Sequence, residues 1–424
     1  MQNTQFKTPH SIAYQAVLVG LLSLNFGIVF FDRNALNFLM PFVQPELELS
    51  NSQVGLIASV FSFAWAIAAF GVSRVSDAIG NRKVLLIIST IAFSLCSVLT
   101  GLASTFALLV GARILMGLAE GGVMPISHAI VARDVNPRVR GLAQGFAQNF
   151  ASNLLGSFVA PVVLVWLATQ YGWRNAFYIA GLPGILCALM MWFVIKEPKV
   201  EKPKHDENKS SKSFSQGMQD WVAAVVVAMQ VRNVWVCVVL GILLVAYLVI
   251  CWAFMPLYLT QVRGFSQADA SWLMATLGIS ATIGSFLTPG ISDLIGRKPV
   301  MIFMPLLSFL LPIGALYYEG AYFGMVLIFF FGWALNGIFP LFMATIPSES
   351  VSPAMAATVF GLCMGTCEII GGAGGPALAG LAADIYGLEA PLIIMAVLTL
   401  AGSVFAFFLH ESAPGVLARR GETD

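Results

Sequence analysis

Twelve stretches of about 20 mostly apolar residues punctuate this chain, each long enough at ~1.5 Å per residue to cross ~30 Å of hydrocarbon. They run approximately over 14–40, 53–73, 84–104, 106–131, 142–167, 174–195, 233–259, 268–291, 299–318, 322–346, 354–382 and 388–409. Lipid offers backbone groups no partner, and the segments lack the short alternating pattern of barrel strands. The pattern predicts an all-α polytopic membrane protein with twelve transmembrane helices. Composition agrees: 10% of residues are charged, against about a quarter in soluble domains. That shortage of polar surface argues against a soluble enzyme, a secreted disulfide scaffold, a disordered chain and a nucleic-acid binder.

The few charges are placed with a bias. Of 22 Lys and Arg, only Arg174 and Arg263 fall on the far side of the membrane if the N-terminus is cytoplasmic, and only Arg33 and Arg113 lie inside spans. The positive-inside rule therefore predicts both termini in the cytoplasm. Residues 196–221, dense in Lys, Glu, Ser and Asn, read as a flexible cytoplasmic linker. They divide the chain into an N-terminal six-helix bundle (1–195) and a C-terminal one with a short tail (222–424). No cleavable signal peptide is expected, because Asp32 and Arg33 interrupt a long first apolar stretch. The six cysteines all sit in apolar spans without a His partner, so no metal site is expected.

The two halves repeat each other. Asp77-Ala78-Ile79-Gly80-Asn81-Arg82-Lys83 recurs as Asp293-Leu294-Ile295-Gly296-Arg297-Lys298, and the same offset carries Pro137 onto Pro353 and Glu120 onto Asn336. Parallel repeats in one membrane are a transporter design. The Asp-x-x-Gly-x-Arg-Lys turn after the second span, recurring as Asp-x-x-Gly-Arg-Lys after the eighth, resembles the signature loop of the major facilitator superfamily. One departure is that the family's Gly four residues before the acid is Ser73 in the first copy and Pro289 in the second. A narrower resemblance follows from Asp32-Arg33 in the first span and Arg113-x-x-x-Gly117-x-x-Glu120-Gly121 with Pro125 in the fourth. These are similar to the anion:cation symporter branch, which carries organic anions with protons. The resemblance implies Arg33 and Arg113 as anion-binding groups and Asp32 and Glu120 as proton-coupling groups.

Physical chemistry points to the same residues. An ionisable group near the bilayer centre costs about 2.5–3.5 kcal/mol, so Asp32, Arg33, Arg113, Glu120 and Glu368 together would cost on the order of 12–17 kcal/mol if unrelieved. They must face protein or water, and intramembrane charges usually serve function. Arg113 and Glu120 are two turns apart on one helix face, about 10 Å in height, which leaves room for a ligand or another helix between them. A guanidinium matches a carboxylate with a planar fork. The plainer alternative makes these residues helix-to-helix ion pairs, for example Asp32 with Arg113. Glu368 is read evenly as a further proton or substrate group, or as a polar anchor beside the glycine run 371–375. That run reads as close helix packing or a hinge.

Tyr247, Trp252, Asn149 and Asn336 are candidate substrate-lining residues. Asp77, Gly80, Arg82, Lys83, Asp293, Gly296, Arg297 and Lys298, at the membrane edge, are expected to latch the gate between conformations. His128 is read more readily as a structural group than as a proton relay. The sequence thus points to a proton-coupled symporter importing a small organic anion, such as a sugar acid or aromatic acid, by alternating access. A proton-driven exporter and a non-translocating receptor of carrier descent are the alternatives. No enzyme activity, cofactor, metal or nucleic-acid partner is expected. A monomer in a bacterial inner membrane is.

Overall fold

The structure, a computed structural model, describes residues 11–79, 81–137, 139–196, 223, 225–352 and 355–421. Gly80 and the central segment beyond Lys196 lie outside these, as does the side chain of Asp77. Among the described residues, 12 helices are long and apolar enough to span a bilayer. In chain order they are α1 (Ile12–Glu46), α2 (Asn51–Ile79), α3 (Arg82–Leu102), α4 (Phe106–Asp134), α5 (Arg140–Tyr171) and α6 (Trp173–Val194). They continue as α7 (Arg232–Val262), α8 (Gln267–Ile295), α9 (Arg297–Tyr317), α10 (Tyr322–Glu349), α11 (Thr358–Tyr386) and α12 (Glu389–Ala406). A short α13 (Pro414–Arg420) follows. Each apolar stretch read from the sequence is a helix.

Polar residues at the loops set where the helices start. Asn81 accepts the amide of Val84 and caps α3, Thr105 does the same for α4 through Leu108, and Ser266 caps α8 through Asp269, each satisfying an amide that has no intrahelical partner. Gly172 and Gly387, at φ +83 and +84, end α5 and α11 in a conformation that side chains resist.

Contacts group the described residues into two units, one within 1–43 and 64–200, the other within 44–63 and 201–424. The segment 44–63, which the linear reading assigns to the N-terminal half, therefore groups with the second unit, so α1 and α2 each run from one unit into the other. In the first unit, Leu22, Phe26 and Val29 of α1 pack with Leu86 and Phe93 of α3, Ile126 and Ile130 of α4, and Met191 of α6. Small residues bring its helices close. A Cβ on Gly156 of α5 would stand 2.4 Å from the Cβ of Phe30, and Asn34 donates to the Gly156 carbonyl at 3.1 Å. Close backbone approach of this kind drives helix association where lipid supplies no hydrophobic incentive.

In the second unit α7 is enclosed along most of its length. It meets α11 through glycines: a Cβ on Gly371 would lie 2.4 Å from the Ile242 carbonyl, and one on Gly375 2.7 Å from Ala246. The glycine run 371–375 is thus a close-packing surface. The tip 44–63 is fastened to the same unit. The carboxylate of Asp384, near the end of α11, accepts the amides of Asn51 and Ser52 at 2.8 and 3.0 Å and the Ser52 hydroxyl. Gln261 donates to Gln44 at 2.9 Å.

Two of the interruptions of regular α-helix fall in matching places in the two halves. α4 breaks at Gly121–Gly122, and α10 carries a 3-10 turn over Ala334–Ile338. α5 widens to a π-helix over Ser152–Val159, and α11 does so over Cys367–Gly374. The breaks recur at nearly the spacing of the repeated loop, so the duplication read from Asp77 and Asp293 extends to backbone irregularities. Such widened turns and broken helices tend to occur at functional sites.

Candidate functional site

Four charges converge in the first unit. Asp32, Arg113 and Glu120 are 0, 3 and 1% exposed, while Arg33 is half-buried. α1 supplies Asp32 and Arg33 on adjacent faces, and α4 supplies Arg113 and Glu120 just before its break at Gly121–Gly122. The Ser97 hydroxyl on α3 donates to Asp32 Oδ1. Arg113 donates to the Arg33 carbonyl at 2.9 Å and lies 3.1 Å from the Met116 sulfur. The Arg33 guanidinium lies over the rings of Phe30 and Trp65, with centroids 5.4 and 5.6 Å away.

Both arginines lie close enough to act electrostatically on Glu120, and Arg113 on Asp32. The cluster is formally neutral: two cations, two acids. Its hydrogen bonding is incomplete. Among the described residues, neither oxygen of Glu120 has a hydrogen-bond partner, nor does Oδ2 of Asp32. Buried carboxylates without donors are costly, which makes this cluster receptive to a proton or to a ligand that rearranges the arginines.

The remaining sequence-singled residues lie elsewhere. Asn149 is half-buried on α5, three residues before its π segment. In the second unit, Tyr247 is fully buried, its hydroxyl donating to the Ser308 carbonyl at 3.4 Å and its ring 5.8 Å from that of Trp333. Trp252 crosses Trp333 edge-on at 5.3 Å. Asn336 sits in the 3-10 turn of α10, half-buried. Glu368 occupies the π segment of α11. A Cβ on Gly372 would stand 2.9 Å from Glu368 Oε2 and 3.5 Å from Ser62 Oγ, so Glu368 and Ser62 flank the same point.

The membrane-edge residues form a network within the second unit. Arg297 bridges Asp293 at 2.6 Å and Glu349 at 2.9 Å. Glu411 accepts the amides of Arg297 and Lys298 at 2.7 and 3.2 Å. Gly296, at φ +113, turns the chain between Asp293 and Arg297. In the first unit Arg82 and Lys83 open α3, and the Lys83 ammonium lies 5.4 Å from the Trp192 ring centre.

Sequence reasoning missed Ser97, Phe30, Trp65 and Trp333. A Ser or an aromatic in an apolar span carries no signal of its own, since most hydroxyls there bond their own helix and most rings meet lipid. Trp333 was reachable: it stands one turn before Asn336, the repeat mate of Glu120.

Residues 22–374 and 251–424 match the model of the Major Facilitator Superfamily. The chain belongs to that superfamily. It is a membrane transporter, and not an enzyme. It is 27% identical over 408 residues to a probable 4-methylmuconolactone transporter of Cupriavidus pinatubonensis, covering 93% of this chain and 90% of the relative. It is also 27% identical to a probable sulfoacetate transporter of Cupriavidus necator, over 69% of this chain and 67% of the relative. Among solved structures it resembles a bacterial homolog of the human lysosomal transporter Spinster. The TM-score is 0.75 at 20% identity, with 94% of this chain and 97% of that one covered. The fold is therefore that of the major facilitators.

Proposed function

We propose that this superfamily member imports a small organic carboxylate together with protons by alternating access. The observation that carries this reading is the convergence of Asp32, Arg33, Arg113 and Glu120 at a depth where charge is expensive, with the oxygens of Glu120 lacking donors. In the resting cluster the two acids neutralise the two arginines. Protonating Asp32 and Glu120 removes that competition, and the guanidiniums of Arg33 and Arg113 become available to the substrate carboxylate. Proton and substrate then favour the same state, which is reciprocal coupling. Tyr247, Trp252, Asn149 and Asn336 line the substrate's path. Glu368 is a further proton or substrate group, and the edge residues from Asp77 to Lys83 and Asp293 to Lys298 latch the conformations. The relatives' named substrates, sulfoacetate and 4-methylmuconolactone, are small organic acids, which supports the choice of carboxylate.

The working arrangement is a monomer in a bacterial inner membrane, with residues 1–195 and 222–424 as its two halves and both termini cytoplasmic. The basic bias of the loops supports this orientation. The test is uptake of labelled gluconate, benzoate and sulfoacetate into proteoliposomes under an imposed pH gradient, acid outside. Accumulation that collapses with the gradient is expected for at least one of them. Equal accumulation with and without the gradient would overturn proton coupling, and no uptake of any acid would overturn the substrate class.

A further inference from the structure

Beyond its break, α4 continues as Val123–Asp134 alongside the first turns of α5. The two run antiparallel in a fixed register: Gln148 lies 3.9 Å from the Met124 sulfur, and Gln144 donates to the His128 carbonyl at 3.4 Å. The next step of that register sets Arg140 opposite Ala132, about one turn (~6 Å) past His128. The register therefore sets a strip of nitrogen-bearing side chains, Gln148, Gln144 and Arg140, along the α4 segment that carries His128, leading from the Glu120 end of α4 toward the membrane face that carries Arg133 and Lys196.

Several features of this strip have no structural use. Nε2 of His128 and Nε of Arg140 are enclosed, yet among the described residues neither has a hydrogen-bond partner. Among the described residues, the amide nitrogens of Gln144 and Gln148 make the long contacts just given, which a charged acceptor would displace. No acid occurs from Val123 to Arg133 or from Arg140 to Tyr171. The nearest, Asp134, is already bound by Arg133 at 2.7 Å. On the same stretch of α5, a Cβ on the half-buried Gly145 would meet no described atom within 4 Å. Donors without acceptors among the described residues, on two helix segments that carry no acid of their own, suit an anion.

We infer that this strip is a second binding station for the substrate carboxylate, with His128 and Arg140 as its charged and hydrogen-bonding groups and Gln144 between them. It receives the anion released from Arg33 and Arg113 on the side facing the basic loops. This rests on the carboxylate reading above and adds a site to it. A station on one side of the transport cycle leaves a directional signature. Weakening it raises the half-saturation for substrate arriving from the basic face and leaves the opposite face unchanged.

The test uses right-side-out and inverted bacterial membrane vesicles carrying the full chain, with labelled gluconate, benzoate and sulfoacetate as probes. For whichever probe moves, His128→Asn and Arg140→Gln are expected to raise half-saturation in inverted vesicles about tenfold, the scale of one lost charge-assisted hydrogen bond. Right-side-out values should stay within about twofold, and Arg140→Lys should recover most of the loss. Should either variant fail to fold in a thermal-unfolding check, Gly145→Leu, whose Cβ meets no described atom within 4 Å, replaces it and should raise the same value. Unchanged values, or parallel shifts on both faces, would overturn the second station alone. A wild-type chain that moves none of the acids in either direction would overturn the carboxylate reading, and this inference with it.

Discussion

Glu120 has no donor on either oxygen among the described residues, so its protonation changes charge without breaking a hydrogen bond. Glu120→Gln keeps the shape and removes the titration. We expect it to abolish gradient-driven accumulation while leaving substrate exchange across the membrane intact, read as counterflow in preloaded vesicles. Concentrative uptake by Glu120→Gln would remove Glu120 from the coupling scheme. Arg113 has a different dependence, because its guanidinium reaches the Arg33 carbonyl with one nitrogen and, in the proposal, the substrate carboxylate with another. Lys cannot divide its contacts in that planar way, so Arg113→Lys should weaken substrate binding about tenfold or more by thermal shift. All four charges were legible in the sequence, because a charge in an apolar span carries its own cost. Ser97 and Trp65 were not: the one donates to Asp32 and the other underlies Arg33 only after α1, α2 and α3 are brought together.

Helix existence and helix continuity come from different physics. Apolar length and lipid make each span a helix almost regardless of detail, so all twelve could be read from the sequence. The interruptions in α4, α5, α10 and α11 depend on which neighbour presses on which turn. Only the glycine run 371–375 announced itself beforehand, and it did so as packing. The Gly121–Gly122 pair weakens a helix and stood in the sequence unread as a break, while the Ser152–Val159 turn has an unremarkable local sequence. The close approaches at these elements should be intolerant of side chains. Gly156→Val places branched carbon against the Phe30 backbone, where a Cβ already stands 2.4 Å from its Cβ and 2.8 Å from its carbonyl carbon. Overpacking of this kind costs about 1–3 kcal/mol, so the detergent-solubilised variant should show a lower unfolding midpoint. Gly145→Leu, whose Cβ on the same helix meets no described atom within 4 Å, should unfold at the wild-type midpoint.

Duplication organises the whole molecule, and the repeated loop, the paired breaks and the glycine-ended helices Gly172 and Gly387 all follow it. The contact-based units depart from it in one segment, 44–63. Sequence alone places the boundary by composition, at the charged stretch after residue 195, because no linear signal marks a hairpin tip that packs with distant residues. That tip has a further consequence. The first amides of any α-helix have no partner within it, so Asp384 is the acceptor that shields the Asn51 and Ser52 amides from solvent. Their hydrogen–deuterium exchange therefore reports how often the tip lets go of α11. Asp384→Ala should speed exchange at the start of α2 by about tenfold and leave the middle of the helix unchanged, as read by mass spectrometry of the peptides covering it. If exchange at Asn51 and Ser52 does not change, Asp384 is not what fastens the tip. If it does, two backbone protons in a water-facing turn count the openings of this end of the transporter, with no substrate added and no reporter group attached.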